Sequence, residues 1–167
     1  LGEGGHAEAI LKASSPDGIL IGFDWDDRAV DVAAERLRPY GERARLVRSN
    51  YAEMASVLDG MGLCGKVSGV LLDLGMSSMQ LADPARGFSF QTGGILDMRM
   101  SIALPETAAS LVNRLSEDEL AGIIYRYGEE RRSRAIAKAI VRARVHSHLR
   151  TAEELTNIVS RAVRARR

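Results

Sequence analysis

Two acidic residues directly follow short apolar runs, a position where side chains of α/β proteins often meet a ligand. Asp24 follows Ile19–Phe23, and Asp73 follows Val70–Leu72 within the longer stretch Val67–Leu81. A continuous apolar run favours a strand that is buried on both faces, as in a parallel sheet. Because ligands bind beyond the carboxyl ends of such strands, both acids are site candidates. The alternative for Asp73 is a turn cap, since aspartate is common in turns.

A glycine-rich segment, Leu1–His6, opens the sequence as LGEGGH and runs into a helical pattern. Gly4 and Gly5 allow the backbone to adopt positive φ and to approach a ligand, beside a helix N-terminus that favours an anion. Asp24 lies nineteen residues beyond Gly5, the spacing typical of an acid that accepts hydrogen bonds from ribose hydroxyls. His6 taken alone is more often a capping or packing residue.

A third candidate follows the next predicted strand, Arg43–Arg48, which ends in a Ser-Asn-Tyr run that includes Tyr51. A polar residue followed by an aromatic ring at this position can hold a nucleobase by hydrogen bonding and stacking. Asp26 and Asp27 also lie near this edge, but either could cap the next helix instead. Asp24 and Tyr51 are therefore the candidates from these two strand ends.

The elements that must position these residues alternate between helix and strand. This alternation predicts a doubly wound α/β sheet. The predicted strands are 19–23, 43–48 and 67–72, and the predicted helices between them are 27–40 and 53–61.

The pattern changes after residue 82. Residues 83–100 form a polar, glycine-rich stretch with Phe88 and Phe90, and long ordered loops of this kind are usually functional. From residue 107 onward every pattern is helical, and Ser116 with Glu119 and Thr151 with Glu154 predict two capping boxes. The predicted helices are 108–112, 117–127, 129–144 and 152–163.

The net charge of +1 over 167 residues conceals an asymmetry. Residues 1–100 contain 14 acids and 10 lysines or arginines, whereas residues 101–167 contain 8 acids and 13 lysines or arginines. The basic half could meet nucleic acid through Arg132, Lys138 and Arg142. The alternative is a solvated helix face, paired in part with neighbouring glutamates.

Composition also bears on whether the protein is disulfide-bonded or spans a membrane. The single cysteine, Cys64, excludes an internal disulfide and is typical of a reducing compartment. No run of about eighteen apolar residues exists, so no transmembrane helix is expected. The sequence begins at Leu1 without a methionine, from which we expect a fragment of a longer protein.

Several motifs in one order resemble the RsmH (MraW) family of S-adenosylmethionine-dependent methyltransferases, and the resemblance covers nearly the whole chain. That family methylates N4 of a cytosine in small-subunit ribosomal RNA. The motifs are LGEGGH at residues 1–6, DLGMSSMQL at 73–81, RGFSF at 86–90, LDMRM at 96–100 and YGEE at 127–130.

The resemblance implies a class I methyltransferase sheet, incomplete here at both ends, with an all-helical insertion that helps to recognise substrate. Residues 1–100 would then form the partial cofactor-binding core and residues 101–167 the partial insertion. The cofactor-binding positions that it implies are Gly4, Gly5, His6, Asp24, Tyr51, Asp73 and Gln80, the last from the resemblance alone.

The reaction that the resemblance implies requires a correctly aimed amine and neither a metal nor a covalent nucleophile. Asp73 is the catalytic candidate, because a polar side chain at that strand end can accept hydrogen bonds from the amino group of the cytosine. Phe88 or Phe90 could receive a cytosine splayed from its stack. Ser77 and Ser78 are further candidates for substrate contact.

The chain departs from the family pattern at a few positions. Tyr51 stands where the family usually has phenylalanine, Met79 where proline is frequent and Ser101 where aspartate is frequent. The family's first strand and last strands are absent from this sequence. An open sheet without its central strand exposes unpaired edges and apolar surface.

Two other functions fit parts of the sequence. A nicotinamide-dependent dehydrogenase also uses a glycine loop and an acid at this spacing, although G-x-G-G is not G-x-G-x-x-G. A non-catalytic RNA-binding protein would use only the basic helices. For the methyltransferase we expect a partner in small-subunit ribosomal RNA or the assembled subunit and no membrane. We expect a location in the bacterial cytoplasm, or in the mitochondrial matrix of a eukaryote.

Overall fold

A computed structural model describes residues 1–90 and 93–164. The chain divides into two compact units, and each draws on two segments of the sequence. Unit 1 consists of Leu1–Ser77 and Met100–Ala103, and unit 2 of Ser78–Arg99 and Leu104–Arg167. The assignment of a cofactor-binding core to residues 1–100 and a substrate-recognition insertion to residues 101–167 stays a prediction.

Unit 1 contains helices on a small parallel sheet. Its helices are α1 (Gly5–Ala13), α2 (Asp27–Leu37) and α3 (Met54–Gly60), and its strands are β1 (Leu20–Asp24) and β2 (Ala44–Arg48). Short 3-10 segments at Arg38–Arg43 and Tyr51–Glu53 flank β2. The two strands predicted before residue 50 are therefore confirmed. The predicted helix 27–40 ends earlier, at Leu37, where Pro39 lies within the first 3-10 segment.

Strands β1 and β2 pair in parallel, with Leu20 opposite Ala44 and Asp24 opposite Arg48. A small apolar cluster packs beside them. The Arg43 guanidinium donates hydrogen bonds to the carbonyl oxygens of Gly18 at 2.8 Å and Leu11 at 2.7 Å, which ties the start of β2 to the end of α1. The buried members of the cluster are Ala7, Leu11, Ala33 and Leu37.

The predicted strand at 67–72 is wrong for this structure. Residues 67–74 lie outside any helix or strand, and Val70, Leu71 and Leu72 are 62%, 59% and 56% exposed. A parallel strand forms only when a neighbour supplies the other half of its hydrogen-bond ladder. Within the described residues the sheet has two strands, so the expected doubly wound sheet is present only as β1 and β2.

Unit 2 contains helices, and those predicted after residue 107 are confirmed. Its helices are α4 (Ser78–Ala82), α5 (Ala108–Arg114), α6 (Glu117–Gly128), α7 (Ser133–His146) and α8 (Ala152–Arg164). The short α4 has no counterpart in the predicted elements. Helix α7 begins four residues later than predicted because Glu129 adopts a left-handed conformation, φ 51°, and ends α6.

Both predicted capping boxes of unit 2 are confirmed. The Ser116 hydroxyl accepts from the Glu119 amide, and the Glu119 carboxylate accepts from the Ser116 amide at 2.8 Å. Thr151 and Glu154 exchange the same pair of bonds at 3.2 and 3.1 Å. Hydrogen bonds from Ser116 lower the pKa of Glu119. Hydrogen bonds from the Arg150 and Thr151 amides lower the pKa of Glu154 in the same way.

The glycine-rich stretch before α5 packs against the helices through described residues such as Leu96. Leu96 is only 2% exposed, and Ile95 forms an antiparallel bridge with Thr151. Gly87 has φ 69°, and a Cβ there would lie 2.0 Å from the Ile95 carbonyl oxygen, so only glycine fits this turn. The apolar core of unit 2 consists of Leu96, Val112, Leu115, Leu120, Ala121, Ile136, Ala137, Ile140 and Leu149.

Asp97 and Arg99 fix the end of this stretch. The guanidinium of Arg99 donates to both carboxylate oxygens of Asp97, at 2.9 and 2.8 Å, and to the Leu104 carbonyl at 2.7 Å. This hydrogen bonding lowers the pKa of Asp97 below its ordinary value.

Among the helices of residues 1–90 and 93–164, none has the length and apolar character that a membrane span requires.

Candidate functional site

The glycine loop of unit 1 is shaped by backbone conformations that side chains disfavour. Gly4 has φ 80° and precedes α1 as its N-cap, and Gly5 is the first helical residue. A Cβ on Gly4 would lie 3.3 Å from the Cβ of Ala33, so the loop packs closely against α2. Gly2 also has positive φ, 55°, with open space on the side where a Cβ would point. The loop therefore packs closely against α2 at Gly4 and faces open space at Gly2.

Asp24 connects this loop to the sheet. One of its carboxylate oxygens accepts from the Gly2 amide at 2.9 Å, and the other accepts from the Asp26 amide at 2.9 Å. Its side chain is 17% exposed. Because an ionised carboxylate offers about four lone-pair directions, capacity remains for one more donor such as a hydroxyl.

The neighbouring acids have local roles. The Asp26 carboxylate accepts from the Arg28 amide at 3.1 Å and caps α2, which is the alternative that the sequence left open. Asp27 and Asp31 lie 3.2 and 2.6 Å from the guanidinium of Arg48. Asp24 is thus the acid at this strand end whose carboxylate faces the glycine loop.

Tyr51 follows β2 at the same edge of the sheet, since Asp24 and Arg48 are register partners. It begins the 3-10 turn Tyr51–Glu53 and is 53% exposed. The Asn50 side chain accepts from the Ala52 amide at 3.0 Å and stabilises that turn. The ring is therefore free to stack on a flat ligand.

His6 and Asp73 meet although they lie far apart in sequence. The Nδ1 atom of His6 is 3.5 Å from an Asp73 carboxylate oxygen, and the two side chains are 71% and 73% exposed. The contact brings the start of α1 beside the acid that follows the apolar run, even though that run is not a strand. Sequence reasoning named both residues but had no signal for the pair.

The remaining candidates are distributed over both units. Ser77 ends the first segment of unit 1, and Ser78 begins α4 of unit 2. Gln80 lies in α4 and is 4% exposed, so its side chain is held by the protein. Phe90 is 65% exposed, and the ring of Phe88 lies beneath the Arg86 guanidinium at 5.7 Å.

The basic residues of unit 2 have unequal surroundings. The Arg132 guanidinium donates to the Val163 carbonyl near the end of α8, and the Arg132 amide donates to Glu130. Lys138 and Arg142 are exposed on α7 and share a groove with Arg161 of α8. Sequence reasoning missed Arg161, because only the packing of α8 on α7 brings it near the other two.

Comparison with known proteins decides the family. The profile of the MraW methylase family matches residues 1–167. The chain belongs to this family. It is 53% identical over 98% of its length to a ribosomal RNA small subunit methyltransferase H from Geotalea uraniireducens. It is 50% identical over its whole length to the protein of that name from Syntrophobacter fumaroxidans, and 53% identical over 98% of its length to that of Geobacter sulfurreducens.

In each of these comparisons the matched region is 52% of the relative, so the chain spans about half the length of the curated relatives that it matches. The resemblance that the motifs predicted is confirmed. Membership of a methylase family implies a methyl-donor cofactor. It decides against the nicotinamide-dependent dehydrogenase that the sequence had left as an alternative.

Proposed function

We propose that the full-length protein transfers a methyl group from S-adenosylmethionine to N4 of a cytosine in small-subunit ribosomal RNA, in the cytoplasm of a bacterial cell. The observation that carries the proposal is the family match over the whole chain, together with relatives whose names specify a small-subunit ribosomal RNA methyltransferase.

Unit 1 fits the cofactor. The open space above Gly2 and the remaining acceptor capacity of Asp24 suit a ribose, and the exposed ring of Tyr51 at the same edge suits an adenine. Gly4 and Gly5 would bring the backbone close to the amino-acid part of the cofactor, next to His6 and Asp73. Gln80 of unit 2 is a further candidate, from the family resemblance alone.

The chemistry needs positioning above all. S-adenosylmethionine supplies, when bound, an electrophilic methyl on a cationic sulfur. The lone pair of the cytosine N4 is delocalised into the ring, so the amine is a poor nucleophile. We assign to the exposed carboxylate of Asp73 the role of accepting a hydrogen bond from the amino group and aiming its lone pair, which lowers the barrier by orientation and electrostatics.

The RNA would be held by other residues. The exposed ring of Phe90, or that of Phe88, would receive the splayed cytosine, and Ser77 and Ser78 would hydrogen-bond to the substrate. The basic helices of unit 2 would dock phosphates through Arg132, Lys138 and Arg142.

The test is methylation of purified small ribosomal subunits by the full-length protein, followed by mass spectrometry of the nucleosides. We expect N4-methylcytidine from the wild type and a turnover lower by about 10² or more for Asp73→Ala. Because Asp73 is 73% exposed, its replacement should change the free energy of unfolding by less than about 0.5 kcal/mol.

Asp59→Ala removes another exposed acid of unit 1 and is the matched control, with turnover expected to be unchanged. A wild type that forms no N4-methylcytidine would contradict the proposed function. Normal turnover in Asp73→Ala would leave Asp73 as a turn residue only.

A further inference from the structure

A groove between α7 and α8 gathers positive charge that two separate helices contribute. Lys138 and Arg142 line it from α7 and Arg161 from α8, around a volume of about 490 Å³. Between them the floor is apolar and includes Ala139 and Ile158, both half-buried. The groove therefore combines long cationic side chains on its sides with a smooth hydrophobic floor.

The three cations have no ion-pair partner among the described residues. In residues 1–90 and 93–164, no hydrogen bond or ion pair joins Lys138, Arg142 or Arg161 to another group. The acids of α8 lie in its first turn, where Glu154 accepts from the Arg150 and Thr151 amides. Because like charges repel when no anion separates them, the arrangement is suited to a polyanion.

The spacing of the three cations suits successive phosphates of a nucleic-acid backbone. Lys138 and Arg142 are four residues apart on one helix, which separates their Cα atoms by about 6 Å along the axis. Arg161 reaches the same groove from the facing helix. Each side chain can therefore take a different phosphate, while the apolar floor can lie against sugar or base surface that a free anion lacks.

Arg132 contacts the end of α8 and does not line the groove. Its guanidinium donates to the Val163 carbonyl in the last turn of α8. Arg132 thus holds the end of α8 against the start of α7 and helps to form the groove, rather than lining it.

From these observations we infer that the α7–α8 groove seats the sugar-phosphate backbone of RNA, with Lys138, Arg142 and Arg161 as the phosphate contacts. The inference rests on the proposed function for the identity of the RNA, which is the ribosomal substrate. It adds Arg161 to the proposed RNA-binding residues.

The test compares charge reversals in the full-length protein, with binding measured across a salt series on purified small-subunit ribosomal RNA and on a single-stranded RNA of mixed sequence. We expect Lys138→Glu/Arg142→Glu/Arg161→Glu to weaken binding at least tenfold at low salt and to lower the slope of log affinity against log salt by about 2, since each single-strand phosphate contact contributes about 0.7.

The matched control reverses three exposed arginines of unit 2 that lie outside the groove, Arg131, Arg134 and Arg150, and changes the net charge equally. We expect a smaller fall in affinity and a nearly unchanged slope. The charge-conserving variant Lys138→Arg/Arg142→Lys/Arg161→Lys should keep the wild-type slope, and Arg161→Glu alone should lower it by about 0.7.

Equal slopes for the groove variant and the control would overturn the inference, because only the overall charge would then matter. An unchanged RNA slope with a lowered melting temperature would also overturn it and identify a protein segment as the occupant. Cofactor affinity, measured by calorimetry, should be equal in all variants. Failure of the wild type to methylate would contradict the proposed function but leave the salt slopes as a separate test of the groove.

Discussion

The two units bury their apolar residues to very different extents. Unit 2 packs nine buried apolar side chains into one cluster, with Leu96 and Ile140 each 2% exposed. Unit 1 buries a cluster of four beside its two-stranded sheet, while Val70, Leu71 and Leu72 remain more than half exposed. The unit with most of the candidate cofactor residues is thus the one with the smaller core.

The difference follows from how helices and strands satisfy their backbones. Each turn of α7 makes its hydrogen bonds within the helix, so unit 2 needs only side-chain packing from its neighbours. The segment 67–72 needs hydrogen bonds from another strand. A helical region can therefore form its core from local segments, whereas a sheet depends on all of its strands.

The largest expected effect tests this contrast through side-chain truncation. Ile140→Ala should lower the free energy of unfolding by about 2–5 kcal/mol, because it leaves a cavity in the core of unit 2. Val70→Ala should change it by less than about 0.5 kcal/mol, since Val70 is 62% exposed. Urea unfolding followed by circular dichroism measures both.

Val145→Ala is the matched control in α7, because Val145 is 77% exposed in the same helix as Ile140. It should behave like Val70→Ala. A loss for Val70→Ala equal to that for Ile140→Ala would show that segment 67–72 is packed and would remove the contrast between the units.

A smaller effect sharpens the contrast by testing the polar anchor of unit 2. Asp97→Asn removes the charge that Arg99 contacts through two carboxylate oxygens. This change should lower the free energy of unfolding by about 2 kcal/mol at neutral pH. Because the pKa of Asp97 is lower when folded than its ordinary value of 3.8, its stabilisation is complete above about pH 3.8 and is lost as the pH falls toward the folded pKa.

The measurement is the difference in unfolding free energy between wild type and Asp97→Asn from neutral pH down to acid. The difference should shrink below about pH 3.8 and be constant above it. Asp118→Asn, at an exposed position in the first turn of α6, is the control. A gap between wild type and Asp97→Asn that stays constant through the acid range would show that the Asp97 charge does not stabilise unit 2.

The smallest expected effect concerns the candidate cofactor site of unit 1. Asp24→Ala removes the proposed ribose acceptor and the bond to the Gly2 amide, and should weaken S-adenosylmethionine binding by at least tenfold, about 1.4 kcal/mol. Calorimetry on the full-length protein measures this, with Asp17→Ala, at an exposed turn position, as the control. Equal affinities for wild type and Asp24→Ala would remove Asp24 from the ribose role.

Elements specified by neighbouring residues were predictable from the sequence. The capping boxes at Ser116 and Thr151 form as their spacing predicts, because both partners lie within one helical turn. Strands β1 and β2 form because α2 connects them and their parallel partner is close in the chain. The five motifs between residues 1 and 130 were sufficient to predict the family.

Tertiary structure decided what depends on residues distant in the chain. An apolar run alone could not show that 67–72 lacks a strand partner within the described residues, because pairing requires a second segment. The His6–Asp73 contact joins residues 67 positions apart. Arg161 joins Lys138 only because α8 packs on α7. In each case the determining interaction lies between distant segments, and the residue pattern within either segment does not predict it.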